Sequence, residues 1–165
     1  MKLRFLFTAL FIVLAQVALG QSASIALGTS AFDKTQPVEV SADSLSVNQG
    51  DGTAIFDGNV LVVQGEVRLS AGKVTVEYSQ EDGKPSGIAR LLASGGVTFV
   101  TSSDAVEAKD AVYSVEQGTV RLSGDVLLTQ GANAIAGDTL SINLETGSGT
   151  MEGRVRTVFN TGGDQ

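Results

Sequence analysis

The chain has 165 residues, 42% hydrophobic and 18% charged, with a formal net charge of −7 and no cysteine, histidine or tryptophan. That length suits one domain with a buried core. The composition excludes disulfides, thiol or histidine catalysis, histidine- or cysteine-based zinc sites and a lipidated cysteine anchor, and the acidic balance disfavours nucleic acid, which requires basic surface.

Lys2 and Arg4 precede an uncharged apolar run from Leu6 to Leu14, and Ala18-Leu19-Gly20 places small residues before Gln21. This is the pattern of a cleaved secretory signal peptide. As a membrane span the apolar run is too short, since about 20 residues are needed. The expectation is a signal peptide over 1–20, cleaved after Gly20 or alternatively near Ala23, and an exported chain. Residues 21–36 are small and polar and read as a flexible start. The domain is expected over 37–159, and 160–165 as a polar tail.

Val38 to Ala42 alternates after Pro37 and opens the first strand, which continues through Leu45 and Val47 after a kink. A turn at Gln49-Gly50-Asp51-Gly52 leads into Thr53 to Phe56. Gly58-Asn59 turns again before Val60-Leu61-Val62-Val63, which is apolar on both parities. Gln64-Gly65 turns into Val67-Arg68-Leu69-Ser70-Ala71, where apolar and polar residues alternate with the period of a half-buried strand. Val74 to Tyr78 follows, and Ser79 to Gly87 reads as a surface loop. Further strands are expected at Ile88 to Ala93, Val97 to Thr101, around Val106, Val112 and Val120 to Leu122, then at Val126 to Leu128, around Ile135, at Leu140 to Leu144 and at Val155 to Phe159. No stretch after residue 20 carries a helical apolar stripe, and Val and Thr are abundant, as pleated surfaces favour.

One phrase recurs. Gly58-Asn59-Val60 returns as Gly95-Gly96-Val97, Gly124-Asp125-Val126 and Gly153-Arg154-Val155, at spacings of 37, 29 and 29 residues. Each head accompanies a segment built on a small residue: Ala42-Asp43-Ser44, Ala71-Gly72-Lys73, Ala108-Lys109-Asp110 and Ala136-Gly137-Asp138. A repeat of about thirty residues made of strands and turns implies a stacked β architecture.

Sites for chemistry are sparse. Gly50-Asp51-Gly52 and Gly137-Asp138 lack the fixed acidic offsets of a calcium loop and read as turns. Asp57, Asp104, Asp110, Asp125 and Asp138 are the acids from which a glycosidase pair would be drawn, but each sits in a turn or beside a glycine. Arg68, Lys73, Arg90, Arg121, Arg154 and Arg156 read as solvated strand faces, with one or two near a rim in reach of a phosphate.

Gln36-Pro37-Val38-Glu39-Val40-Ser41-Ala42-Asp43-Ser44-Leu45, Phe56-Asp57-Gly58-Asn59-Val60-Leu61-Val62-Val63-Gln64-Gly65 and Ala71-Gly72-Lys73-Val74 follow the signal sequence in that order. With Leu122-Ser123-Gly124-Asp125-Val126 and Ile135-Ala136-Gly137-Asp138, they resemble the OstA/LptA family of periplasmic lipopolysaccharide-transport proteins. The resemblance covers about Pro37 to Phe159. It implies an all-β, twisted, open jelly roll of two facing antiparallel sheets with about 15–16 short strands, and a groove that buries the acyl chains of lipopolysaccharide. It also implies no catalysis; no cofactor and no metal are expected. Its partners would be an inner-membrane-anchored jelly roll (LptC-like), an outer-membrane translocon (LptD-like) and further copies of the chain, joined head to tail by strand addition. Val38 to Ala42 and Val155 to Phe159 are the expected ends. The competing reading is a structural β-solenoid or adhesin-like scaffold with a dry core.

The expected groove residues keep mostly one parity within each strand: Val38, Val40, Leu45, Val60, Val62, Val67, Leu69, Val74, Val76, Phe99, Val112, Leu122, Val126, Leu128, Leu140 and Ile142. An open groove would leave them solvated until cargo arrives.

Overall fold

A computed structural model describes residues 22–27, 33, 35–48, 50 and 52–159. The expected signal peptide, residues 1–20, and the expected polar tail, 160–165, lie outside the described residues. Among the described residues there are thirteen strands and no helix. They are β1 (Ser22–Ala26), β2 (Glu39–Ser41), β3 (Ser44–Asn48), β4 (Thr53–Gln64), β5 (Val67–Glu81), β6 (Lys84–Ser94), β7 (Val97–Val100), β8 (Asp104–Ala108), β9 (Asp110–Ser114), β10 (Thr119–Gln130), β11 (Asn133–Asn143), β12 (Ser148–Glu152) and β13 (Arg156–Val158).

Every pairing is antiparallel, and the hydrogen-bonded network folds into two leaves. The first leaf runs β3, the start of β4, the middle of β5, β6, β9, the start of β10, the end of β11, β12 and β1. The second runs β2, the end of β4, the start of β5, β7, β8, the end of β10, the start of β11 and β13. The long strands β4, β5, β10 and β11 belong to both leaves. Alternation explains the sidedness: in β5, Leu69, Ala71, Val74 and Val76 are buried while Arg68, Ser70 and Lys73 are exposed.

The repeat heads prove to be the corners between the leaves. At Gly58-Asn59 the register of β4 against β5 shifts between Asp57 and Val60, and at Gly124-Asp125 that of β10 against β11 shifts between Ser123 and Val126. Gly58 has φ 83° and Asn59 48°; Gly124 has φ 83° and Asp125 50°. Two successive left-handed residues turn the strand without ending it, and the leading position suits glycine because it has no Cβ. The small-residue segments are the other half of each corner. Asp43 N–H donates to the Gly58 carbonyl (2.9 Å), Lys109 N–H to the Gly124 carbonyl (3.0 Å) and Asp138 N–H to the Gly153 carbonyl (3.1 Å). At the remaining corner, Gly72 lies against the backbone of Gly95.

Three expectations need correction. Among the described residues the strands number thirteen rather than fifteen or sixteen, because runs such as Thr53 to Phe56 and Val60 to Val63 are one strand bent at a corner. Residues 21–36 are not a uniformly flexible start, since β1 pairs with β12 from Ser22↔Glu152 to Ala26↔Ser148. Ser79 to Gly87 is not a loop but the extension of the β5–β6 hairpin, closed at Asp82-Gly83 with φ of 50° and 72°.

A Cβ at Gly124 would stand 2.9 Å from the Lys109 Cβ, whereas one at Gly131 (φ 56°) meets nothing within 4 Å. Gly131→Ala is therefore expected to cost about 1 kcal/mol from backbone strain alone, and Gly124→Ala roughly 2–4 kcal/mol from strain plus collision. Urea unfolding of both variants measures the difference.

Candidate functional site

The space between the leaves is lined by apolar side chains from both. Val60, Val62, Leu69, Phe99, Val126 and Leu128 project inward from the second leaf, and Val74, Val76, Leu122, Leu140 and Ile142 from the first, all buried. Val38, Val40 and Val67 are half-buried and pack against the same core. The expected solvated groove is not what the structure contains, because those eleven residues are 0–5% exposed. Small side chains let the leaves approach closely enough to fill the interior.

Two expected positions depart from this lining. Val112 faces outward beside Ser114, Arg121 and Ser141, because its neighbours Ala111 and Tyr113 take the inward parity. Leu45 pairs with the inward Phe56 but is 55% exposed, since β3 is an edge strand; Val47, two residues on, is 65% exposed. The interior is therefore open at the β2–β3 end. At the other end Ile25 of β1 and the following Leu27 close it, and Met151 of β12, paired with Ala23, is buried there too.

Sequence parity misses several lining residues: Leu91, Val97, Val106, Tyr113, Val120, Leu144 and Met151 are all buried. Counting from Ala111 would find Tyr113. Nothing in the sequence marks its partner. The Tyr113 hydroxyl donates to Gln64 Oε1 across the two leaves at 2.7 Å, and Gln64 Nε2 donates to the Gln36 carbonyl at 2.9 Å. Burial pushes the Tyr113 phenol up to about 12, because the phenolate would lose its hydration. A second clasp lies nearer β1, where Gln130 Nε2 donates to the Ala26 carbonyl and to Asp104 Oδ1, each at 2.9 Å. Beside Tyr113 and Gln64 the leaves enclose a cavity of only about 20 Å³, lined also by Val62, Leu91, Phe99 and Leu144.

Three of the acids singled out in the sequence serve the corners, while Asp104 is buried in the Gln130 clasp. Asp57 pairs with Lys73 (3.1 Å), Asp125 with Lys109 (2.6 Å) and Asp138 with Arg154 (3.0 Å), all on the outer surface. The hydrogen bond and charge of Lys109 hold the Asp125 carboxyl below its ordinary value. Among the described residues, no three acidic side chains gather as a metal site requires.

A family model described as "LptA/(LptD N-terminal domain) LPS transport protein" matches residues 39–148, which hold most of both leaves and three of the four corners. The chain belongs to that family. It is 29% identical over 152 residues to an uncharacterized protein of Rhizobium meliloti, covering 87% of this chain and 82% of that one. It is 28% identical over 144 residues to the lipopolysaccharide export system protein LptH of Pseudomonas aeruginosa, covering 82% and 78%. The crystal structure of LptH, titled as the LptA-homologous periplasmic component of a lipopolysaccharide transport device, superimposes with a TM-score of 0.69 at 20% identity, over 78% of this chain and 99% of that one. That likeness establishes the shared jelly-roll fold. The family is one of transport proteins rather than enzymes.

Val62 is 5% exposed and Leu45 55%. Val62→Asp is expected to cost several kcal/mol, about 3 or more, by burying a carboxylate without a partner, while Leu45→Asp costs less than about 1 kcal/mol. Denaturant midpoints check both. For Tyr113 the folded pKa is raised above the unfolded value of 10.0. Its neutral-phenol contribution is thus fully present below pH 10 and is lost as pH rises through about 12. Tyr113→Phe should lower stability by about 1–2 kcal/mol at pH 8, and the variant should lose less stability than the parent between pH 9 and 12. Thermal unfolding across that range measures both effects.

Proposed function

We propose that the chain is an exported, periplasmic lipopolysaccharide-binding bridge, carrying lipid from an inner-membrane transporter towards an outer-membrane translocon with its acyl chains between the two leaves. The observation that carries this reading is the continuous apolar lining of both leaves, leading to the exposed Leu45 and Val47 at one end. Family membership supports it, as does the signal-peptide pattern of residues 1–20. No step of covalent chemistry belongs to this role.

The energetics are those of exchange. Each acyl methylene withdrawn from water gains about 0.8 kcal/mol. A cavity of about 20 Å³ holds roughly one water and no acyl chain, so the leaves part during loading. Parting gives up apolar packing between the leaves, and acyl chains replace it with packing of the same kind. It also breaks the Tyr113–Gln64 and Gln130–Ala26 hydrogen bonds on the side away from the corners, which is the side that opens. The chain's net charge of −7 gives no general attraction to a phosphorylated headgroup, so the headgroup stays at the rim and burial of the chains supplies the affinity. Edge strands at both ends support joining to the anchored partner, the translocon and other copies by strand addition.

The closed interior also favours a second reading, a dry scaffold with no lipid affinity. Photo-crosslinking residues at Leu45 and Val62 are expected to capture lipopolysaccharide, while one at the exposed Arg68 is not. Capture at none of these positions, in protein that also carries no lipid by native mass spectrometry, would sink the carrier reading and leave the scaffold.

A further inference from the structure

The two ends of the molecule differ. At one end, among the described residues, β2 and β3 each pair with β4 and no further strand lies beyond them. At the other, β13 is the last described strand of the second leaf, but β12 of the first leaf is covered by β1 of the same chain. Among the described residues β1 pairs with β12 alone. It is held by that ladder, by the buried Ile25 (8% exposed) and Leu27 (6%), by the Leu27 N–H to the Gly147 carbonyl (2.7 Å) and by the Gln130 clasp.

β1 also has the form of another strand of the same protein. It reads Ser22-Ala23-Ser24-Ile25-Ala26, and β3 reads Ser44-Leu45-Ser46-Val47-Asn48. Both have five residues, with serine first and third and the apolar side chains at the second and fourth positions. In β1 these turn inward over β12; in β3 they are the inward parity of β4 but exposed, with no described strand beyond them.

Strand polarity shows what belongs at that edge. Without β1 each leaf has eight antiparallel strand segments, from β3 to β12 and from β2 to β13. With an even number, the first and last segments run in opposite directions. A second copy in the same orientation can then place its β3 antiparallel on β12 and its β2 antiparallel on β13 in a single docking. With β1 in place the first leaf has nine segments. A strand added antiparallel to β1 would belong to an inverted copy, while the free edge of β13 still calls for an upright one. No single neighbour satisfies both.

We infer that β1 occupies on β12 the place that β3 of a second copy takes, so that self-capping and end-to-end assembly exclude one another. The inference rests on the strand-addition reading above and adds the switch that governs it. A subunit with β1 docked accepts no neighbour at this end. Displacement exchanges Ile25 for a neighbour's Val47 and covers the apolar surface at that neighbour's β2–β3 end, which β1 cannot do.

The test uses the chain beginning at Gln21 with Ser24→Cys and Thr150→Cys, which face one another in the β1–β12 register and are the only thiols, since the chain has no cysteine. Light scattering should give one monomer mass for the oxidised form over a hundredfold concentration range, and a rising mass once it is reduced. Deleting residues through Leu27 should lower the concentration at which assembly begins by about tenfold, and Val47→Asp in that background should abolish assembly. Oxidised protein with an intrachain bond that assembles as well as the reduced form would overturn the inference. So would disulfides joining different copies, which would make β1 a strand exchanged between subunits. Assembly unaffected by Val47→Asp, or absent from every variant, would overturn the strand-addition reading itself and this inference with it.

Discussion

The structure depends on how a β-strand leaves one sheet for another without ending. A continuous strand keeps its ladder only while its residues stay in the extended region, and a sharp bend there breaks hydrogen bonds that burial makes costly to lose. The solution at Gly58-Asn59 and Gly124-Asp125 is a pair of left-handed residues, after which the strand resumes with its register shifted. The hydrogen bonds from Asp43 and Lys109 keep the corner carbonyls partnered. The outer ion pairs of Lys73, Lys109 and Arg154 sit beside these bends and are largely solvated, so each adds little. What holds the corner is backbone geometry and the absence of a side chain at its glycine.

Folding the network at aligned corners forces two inner faces together. Valine, leucine and alanine dominate them, Phe99 is a fully buried ring, and Tyr113 is a buried aromatic that carries a polar tip. Its hydroxyl would be costly to bury unpaired. Gln64 receives it from the opposite leaf, which turns a requirement of burial into a tie between leaves. The result is an interior lined by apolar side chains, with the Tyr113–Gln64 and Gln130–Ala26 hydrogen bonds joining the leaves.

The two ends of this sandwich carry opposite requirements. Leu45 and Val47 are exposed, and among the described residues no strand lies beyond β3. Exposed edges invite pairing, and proteins commonly cover them or make them unattractive. Here the β12 edge is covered by the chain's own first strand, and among the described residues no strand lies beyond β2, β3 or β13. β1 and β3 thus stand at opposite ends of the first leaf, one on β12 and the other on β4.

Much of this is legible in the residues. Alternation in Val67 to Ala71 and Val74 to Val76 determines strand character and inward parity, because a pleat of period two leaves no other choice when one face is buried. The recurring Gly-X-Val heads mark positions that need left-handed backbone, and their order carries the family resemblance. Parity fails where it is ambiguous: Val112 reads as inward because its neighbours Ala111 and Tyr113 are apolar too. That the heads are corners rather than hairpin turns depends on which strand pairs across them, which is a long-range fact. The closed interior, the Tyr113–Gln64 tie over 49 positions and the docking of Ser22 to Ala26 on β12, with more than a hundred residues between, are likewise decided only by the tertiary structure. Local sequence specifies which way a side chain can point; only the assembled leaves specify what it meets there.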